Sequence, residues 1–291
     1  MSPMKFFSLL IIFCSLLSCS QMEERILFSS SRNGNSDIFL MKPDGSEITS
    51  ITKSEAEEWG PVWVSQTEIS FLRQQDERID LVKLDLVTGE ETLLQHPPNC
   101  LIDDKNFVYN SKGTSALYVC DGNVYQLSPD FERPKNLTMN MTGRAAYVDW
   151  AGREKFVFTS NAAGNNNIYT MGLGYASSYE PIRLTLGDSN DERASISPDG
   201  WLMVYSSDQF EKGNQDIVLM DLTNGKVTNL SQSPGTELIA RWSQNGEKVY
   251  YGSNKDGNWE LYSYTLASGE TIRLTTNEAF DGDPRIFNNH N

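Results

Sequence analysis

An internal repeat of about 44 residues constrains this chain more than any other feature. Six times an apolar pair follows a Gly/Asn-type or acidic turn. The first members are Ile38, Leu81, Val124, Ile168, Ile217 and Leu261, with successive spacings of 43, 43, 44, 49 and 44. A second marker, the apolar residue ending each unit, falls at Ile51, Leu94, Leu137, Leu184, Leu230 and Leu274, spaced by 43, 43, 47, 46 and 44. Ile51 is followed by Thr52, and four of the others are followed by Thr or Ser. Two independent markers with one period mean an array of like units, none of which can bury its apolar face alone. The long spacings coincide with insertions at 172–180 and 209–212.

Turn residues fall at matching places in the units. Ser111-Lys112-Gly113, Pro198-Asp199-Gly200 and Gln244-Asn245-Gly246 mark a first hairpin. Asn33-Gly34-Asn35, Asp121-Gly122-Asn123, Gly164-Asn165, Gly213-Asn214 and Gly257-Asn258 mark a second. Pro43-Asp44-Gly45, Thr88-Gly89, Asn224-Gly225 and Ser268-Gly269 mark a third. Gly and Asn supply the positive φ that tight hairpins require, so three turns imply four antiparallel strands per unit. Runs such as Ile38-Phe39-Leu40-Met41 and Lys248-Val249-Tyr250-Tyr251 show little polar alternation, as expected of strands buried on both faces. Four-stranded units of this length predict an all-β fold, a six-bladed β-propeller of four-stranded antiparallel blades; the rival is a β-helix or open solenoid. Ring closure is favoured by the two ends of the chain. The first unit, Ile26 to Thr52, lacks an opening strand, and Asp283-Pro284-Arg285-Ile286-Phe287 matches the opening strands Pro61-Val62-Trp63 and Ala240-Arg241-Trp242. The C-terminal strand is expected to complete the N-terminal blade.

These residues carry a resemblance. Ser195-Ile196-Ser197-Pro198-Asp199-Gly200, followed by Leu202-Met203-Val204-Tyr205-Ser206-Ser207, resembles the repeat of TolB-like (WD-type) propellers. So do Ile26-Leu27-Phe28-Ser29-Ser30 and Asp37-Ile38-Phe39-Leu40-Met41-Lys42-Pro43-Asp44-Gly45. It extends from Arg25 to Phe287, is strong in the units starting at Ile26, Ala194 and Ala240, and is degraded at Ser65-Gln66-Thr67 and Trp150-Ala151-Gly152. TolB proteins carry an additional N-terminal α/β domain that contacts partners, and no room is expected for one here. The resemblance implies a six-bladed ring and a binding role in the bacterial envelope.

The start, MSPMKFFSLLIIFCSLLSCS, has one Lys, an apolar run from Phe6 to Leu17 and a small-residue exit, which reads as a secretory signal too short to span a membrane. Leu16-Leu17-Ser18-Cys19 resembles the bacterial lipobox, which implies a lipid anchor on Cys19. The expected organisation is signal peptide 1–18, lipidated tether 19–25, propeller 26–287 and tail 288–291. A net charge of −15 without a basic cluster argues against a nucleic-acid partner. With Cys14 in the signal and Cys19 lipidated, Cys100 and Cys120 remain, and a disulfide between them is expected in an oxidising compartment.

Catalytic signals are sparse. The mature chain has only His96 and His290, no Gly-x-Ser-x-Gly elbow and no partner hydrolase domain, so a Ser-His-Asp triad is not expected. Two His cannot build the His-rich metal site of the oligogalacturonate lyases, whose repeat type is similar. Paired carboxylates remain open to hydrolase or lyase chemistry on carbohydrate, the alternative function. Asn254-x-Asp256-x-Asn258-x-Glu260 spaces oxygen ligands as calcium loops do, but like turns in other units favour a hairpin device. No cofactor is certain; Ca²⁺ at the propeller mouth is the candidate.

The second hairpin turn and the connector to the next blade should share one face, the mouth of the ring. Aligned by their opening strands, Glu58, Asp191, Glu237 and Asp281 fall at one position, and equivalent positions in a ring converge on its axis. These four, with Trp59, Glu192, Trp259 and Asp283, form the expected ligand-binding set. Capping of the connector turns, or pairing with Arg241 and Arg285, is the competing role for the acids. Trp201 and Trp242 are read as packing residues on blade strands or the opposite face. The expected function is a membrane-anchored binding or scaffold module recognising an envelope protein, peptide or glycan at this acidic mouth.

Overall fold

The structure, a computed structural model, describes residues 23–95, 107–128, 133–173 and 180–287. The described residues form six four-stranded antiparallel sheets and no helix, so none of them offers a helix long and apolar enough to cross a membrane. Signal, lipidation site and tail lie outside the described residues.

Each sheet is one blade, with strands ordered from the centre outward. The inner strands are Glu58–Trp63, Val108–Tyr109, Ala145–Trp150, Asp191–Ile196, Glu237–Trp242 and Asp281–Ile286. The last of these pairs with Ile26–Ser30, so blade 1 takes its inner strand from the C-terminal end, as the sequence predicts. Closure removes the exposed edge that an open array would leave.

Six apolar clusters fill the six interfaces between neighbouring blades. Ile26 and Phe28 pack with Tyr250 and Leu261 of blade 6, whereas Leu27 between them packs with Phe71 and Val82 of blade 2. Successive side chains of a strand point to opposite faces, and here both faces are interior. Every residue of Ile26–Ser30 is buried. The missing alternation in the sequence follows directly.

The two repeat markers are joined by one hydrogen bond. The amide of the first marker donates to the hydroxyl after the second: Ile38 to Thr52, Val124 to Thr138, Ile168 to Thr185, Ile217 to Ser231 and Leu261 to Thr275, all at 2.9–3.0 Å. The third strand thus gains a partner for a buried amide where the outer strand turns away. Inner strands are stapled by indoles. Trp63, Trp150 and Trp242 donate Nε1–H to the carbonyls of Arg285, Val108 and Ser195 on the preceding blade, at 3.2, 2.8 and 3.1 Å. Trp242 is a packing residue, as expected. Trp201 is not: it follows the Asp199-Gly200 turn and is 61% exposed, because it lies in the first hairpin turn, before the strand enters the core. Gly45 shows why one turn needs glycine. Its φ is +83°, and a Cβ there would lie 2.5 Å from the Leu274 carbonyl of blade 6.

Candidate functional site: the central channel and its mouth

The second hairpin turn and the outgoing connector do share a face. The side-chain amides of Asn35, Asn165 and Asn258 donate to connector carbonyls of their own blades, those of Ser54 and Ala56, Gly187 and Ser189, and Asn277 and Ala279. The recurrent Asn is therefore a clamp, and the calcium-like spacing at Asn254–Glu260 serves the hairpin. There Asp256 accepts from Tyr262 and Arg273, and Glu260 accepts from Asn258 and Arg273. Among the described residues no three His, Cys, Asp or Glu come together as a metal-holding group, so the expected Ca²⁺ finds no ligand cluster there.

The acids placed by alignment occupy equivalent stations, but not the channel wall. Glu58, Asp191, Glu237 and Asp281 are buried, none more than 1% exposed. Glu58 accepts from Arg73 Nε at 2.5 Å, and Asp191 from the Ser207 hydroxyl at 2.5 Å. Glu237 accepts from Ser233 and, at 2.6 Å, from Ser253. Asp281 accepts two bonds from Arg32 Nη2 at 2.9 Å and one from Asn277 at 2.5 Å. Each acid ties the start of an inner strand to its own blade; Glu237 and Asp281 also hold the connector at Ser233 and Asn277, as the competing role would have it, but none of the four bonds to Arg241 or Arg285. Burial raises the Glu237 carboxyl above its ordinary pKa, with its serine bonds as partial compensation.

A bulge explains the displacement. Register shifts interrupt the inner strands between Trp59 and Val62, Ala146 and Asp149, Glu192 and Ser195, and Leu238 and Arg241. The pairing of Asp281–Ile286 with blade 1 shifts likewise. In each bulge one residue is left-handed: Gly60, Tyr147, Arg193, Ile239 and Asp283, with φ of +60°, +47°, +58°, +59° and +56°. A bulge re-aims side chains, so two-residue periodicity does not carry from the buried acid to the channel. For the non-glycines this backbone costs on the order of 1–2 kcal/mol each. Ile239 is the least suited, being β-branched.

These five residues line one cavity of about 270 Å³ on the ring axis. A second ring follows two residues further on, comprising Val62, Val108, Asp149, Ser195, Arg241 and Arg285, beside a narrower space of about 70 Å³. The channel thus holds three arginines and two aspartates within an acidic protein. Arg193 stacks on Tyr147 with its guanidinium 4.0 Å from the ring centroid, donates to the Tyr147 hydroxyl at 2.7 Å and pairs with Glu192. Asp283 accepts one long bond from Ser29 (3.3 Å), and burial raises its pKa against the pull of Arg285. Of the eight expected binding residues, Asp283 lines the channel and Glu192 braces a residue that does.

Trp59 and Trp259 are half-buried, Trp59 against the cluster of Leu72 and Tyr118. Cys120 is disulfide-bonded, while Cys100 lies outside the described residues. The mouth also carries exposed apolar side chains: Phe210 (52%) and Phe280 (39%), whose sequence positions put them on this side, and Met139 (69%) and Leu186 (77%), which were not anticipated. Unmatched Met139 and Leu186, each directly after a Leu-Thr marker, were the available signal. Arg193 was legible only as an unexpected base at a position held elsewhere by Gly, Tyr, Ile and Asp.

Known proteins match this geometry. The Protein TolB homolog of Chlorobium chlorochromatii is 26% identical over 130 residues, which is 45% of this chain and 28% of that protein. The crystal structure of TolB from Acinetobacter baumannii superposes with a TM-score of 0.75 at 20% identity, covering 91% of this chain and 67% of that one. The putative TolB of Agrobacterium tumefaciens gives 0.67 at 16%, covering 89% and 90%. This chain is a TolB-like six-bladed propeller. A family model for the dipeptidyl peptidase IV N-terminal region also matches residues 202–290. The TolB-like chain spans less than a third of the curated relative's length, so the likeness speaks for the propeller and not for the rest of that protein.

Proposed function

We propose that this TolB-like chain is a binding module of the bacterial cell envelope, held at the membrane by a lipid on Cys19, with a protein or peptide docking on the mouth of the ring. One observation carries the reading: exposed Met139, Leu186, Phe210 and Phe280 share that face with exposed Glu55, Glu57, Asp188 and Glu278. Apolar side chains set among mainly acidic charge, with Lys53, Arg144 and Lys212 as the exposed bases there, fit a partner with an apolar centre and a largely basic rim. The similarity to TolB proteins of three bacteria supports an envelope setting. A carbohydrate hydrolase or lyase has less support, since the acids it would use are buried in hydrogen bonds.

The test is a photo-crosslinking side chain placed at Phe210, at Leu186 and, on the opposite face, at Trp201, in cells expressing the full chain. A discrete crosslinked protein from the first two positions, lost on adding Phe280→Asp, is expected. Crosslinks from Trp201 alone would move the docking surface to the other face and end this reading. The same cells test the anchor, because Cys19→Ser should release the protein from the membrane fraction. We also propose Cys100 as the partner of Cys120; two free thiols in denatured, unreduced protein would reject the pairing.

A further inference from the structure

The mouth proposal leaves the channel itself unused, and its charges are incompletely matched. Arg241 is 9% exposed, and among the described residues its Nε has no hydrogen-bond partner. Its Nη1 donates to the carbonyls of Ala240 (2.7 Å) and Arg193 (3.4 Å), neither of which carries charge. Asp149 lies 3.8 Å from Arg241 Nε and 4.0 Å from Arg285 Nη1, beyond hydrogen-bond range of both. Asp283 also attracts both guanidiniums, but its hydrogen bond comes from Ser29, so neither aspartate satisfies Arg241 Nε, while Arg193 is already matched by Glu192. Burial and the Arg285 charge push the Arg241 pKa below an arginine's usual value. An arginine nevertheless stays protonated at physiological pH, so its buried, unpartnered Nε calls for a further acceptor.

We propose that the axial channel binds a monocarboxylate with a short apolar body, its oxygens received by Arg241 and Arg285. A single negative charge is favoured because Asp149 and Asp283 would repel a dianion. The apolar body follows from the wall, which includes Val62, Val108, Val119, Val148 and Ile239. A planar guanidinium matches a carboxylate bidentately, and these charge-assisted bonds are strongest away from water. A cavity of about 270 Å³ holds such a molecule, or some nine waters at about 30 Å³ each. The backbone strain concentrated at Tyr147, Arg193, Ile239 and Asp283 marks the same wall, as strain does at ligand clamps.

The carboxylate could be a free small molecule or the C-terminus of a peptide with an apolar last residue. Purified full-length protein is titrated by calorimetry with isovalerate, and with acetyl-Ala-Ala-Val as free acid and as amide. Isovaleramide is the neutral control, and fluorescence of Trp63, Trp150 and Trp242 beside the second ring provides a second readout. Saturable binding of isovalerate supports the free molecule. Binding of the peptide acid but neither its amide nor isovalerate supports the C-terminus. Arg285→Met should weaken either by at least tenfold, Arg285→Lys by less, and Arg241→Met as much as Arg285→Met if it folds. No binding by either acid, equal binding of the amides, or unchanged affinity in Arg285→Met would each leave the channel to water and overturn the proposal.

Discussion

Asp281→Ala tests whether the aligned acids hold the fold together, and the structure gives the size of the effect. Asp281 is wholly buried and accepts two bonds from Arg32 and one from Asn277. Arg32 is itself half-covered and lies over the Phe28 and Phe39 rings at 5.4 and 4.9 Å. Asp281 sits in the C-terminal strand opposite Ser30, so the pair joins the two ends of the chain at the closing seam. Removing one member of such a pair strands the other and costs about 3–5 kcal/mol. That is a large share of the roughly 5–15 kcal/mol by which domains are stable. In melting temperature it corresponds to a fall of roughly 6–20 °C for a domain of this size. The assay is urea unfolding of the parent, Asp281→Ala, Arg32→Met and the double variant. Each single variant should lose several kcal/mol, and the double should lose clearly less than their sum, by about 1–3 kcal/mol. Midpoints of Asp281→Ala within about 0.5 kcal/mol of the parent, the ordinary range of an exposed site, would refute the reasoning.

Truncation after Ala279 should expose the fully buried strand Ile26–Ser30 as an open edge, with loss of cooperative melting and aggregation in sedimentation runs. A truncated chain melting as sharply and as high as the parent would refute closure. Thr185→Val should cost about 1–3 kcal/mol in urea unfolding, because it leaves the Ile168 amide buried without an acceptor; an unchanged midpoint counts against the marker hydrogen bond. For Glu237, burial raises the folded pKa above the ordinary 4.5, so its ionised form is penalised in the native state above that raised value. The penalty fades as pH falls through the folded pKa and is gone below 4.5. Glu237→Gln should accordingly unfold later than the parent at pH 7 and converge with it near pH 4; a difference constant with pH would reject burial as the cause.

The propeller was legible because its turn chemistry is local. Gly, Asn and Asp at hairpin corners announce positive φ, and the Leu-Thr pairs announce where each blade ends, now explained by the Thr hydroxyl's bond to the third strand. Closure was legible because Asp283–Phe287 repeats a pattern whose counterpart is missing at the start. The direction of the acids was not legible. It depends on whether an inner strand keeps its pleat, and the bulges that break it sit at Tyr147, Arg193 and Ile239, residue types that give no sign of left-handed backbone. Trp201 escaped for a related reason: an aromatic one residue past a turn can face either the blade or water, and composition does not distinguish the two.

A ring of like units separates structural positions from specific ones within a single chain. Where the fold makes the same demand in every blade, the same chemistry recurs: Thr or Ser under the third strand, Asn across the connector, Trp stapling alternate inner strands. The axis shows no such recurrence, although some side chains there do meet a neighbouring blade, as Arg193 does at Tyr147. Its first ring is Gly, Tyr, Arg, Ile and Asp among the described residues, and its second is Val, Val, Asp, Ser, Arg and Arg. Folding does not account for placing Arg241 and Arg285 beside Asp149 at a distance too long for hydrogen bonding, because apolar residues of similar volume would fill that space at lower desolvation cost. Nor does it account for Ile239 in a left-handed bulge that glycine would adopt freely, as Gly60 does in blade 2. The left-handed bulge recurs in five blades, but the residue types on it and on the ring two residues further on do not recur, and that second ring holds the unpartnered Arg241 Nε. That coincidence is what supports the proposal of a ligand on the axis, which the exposed apolar mouth would admit.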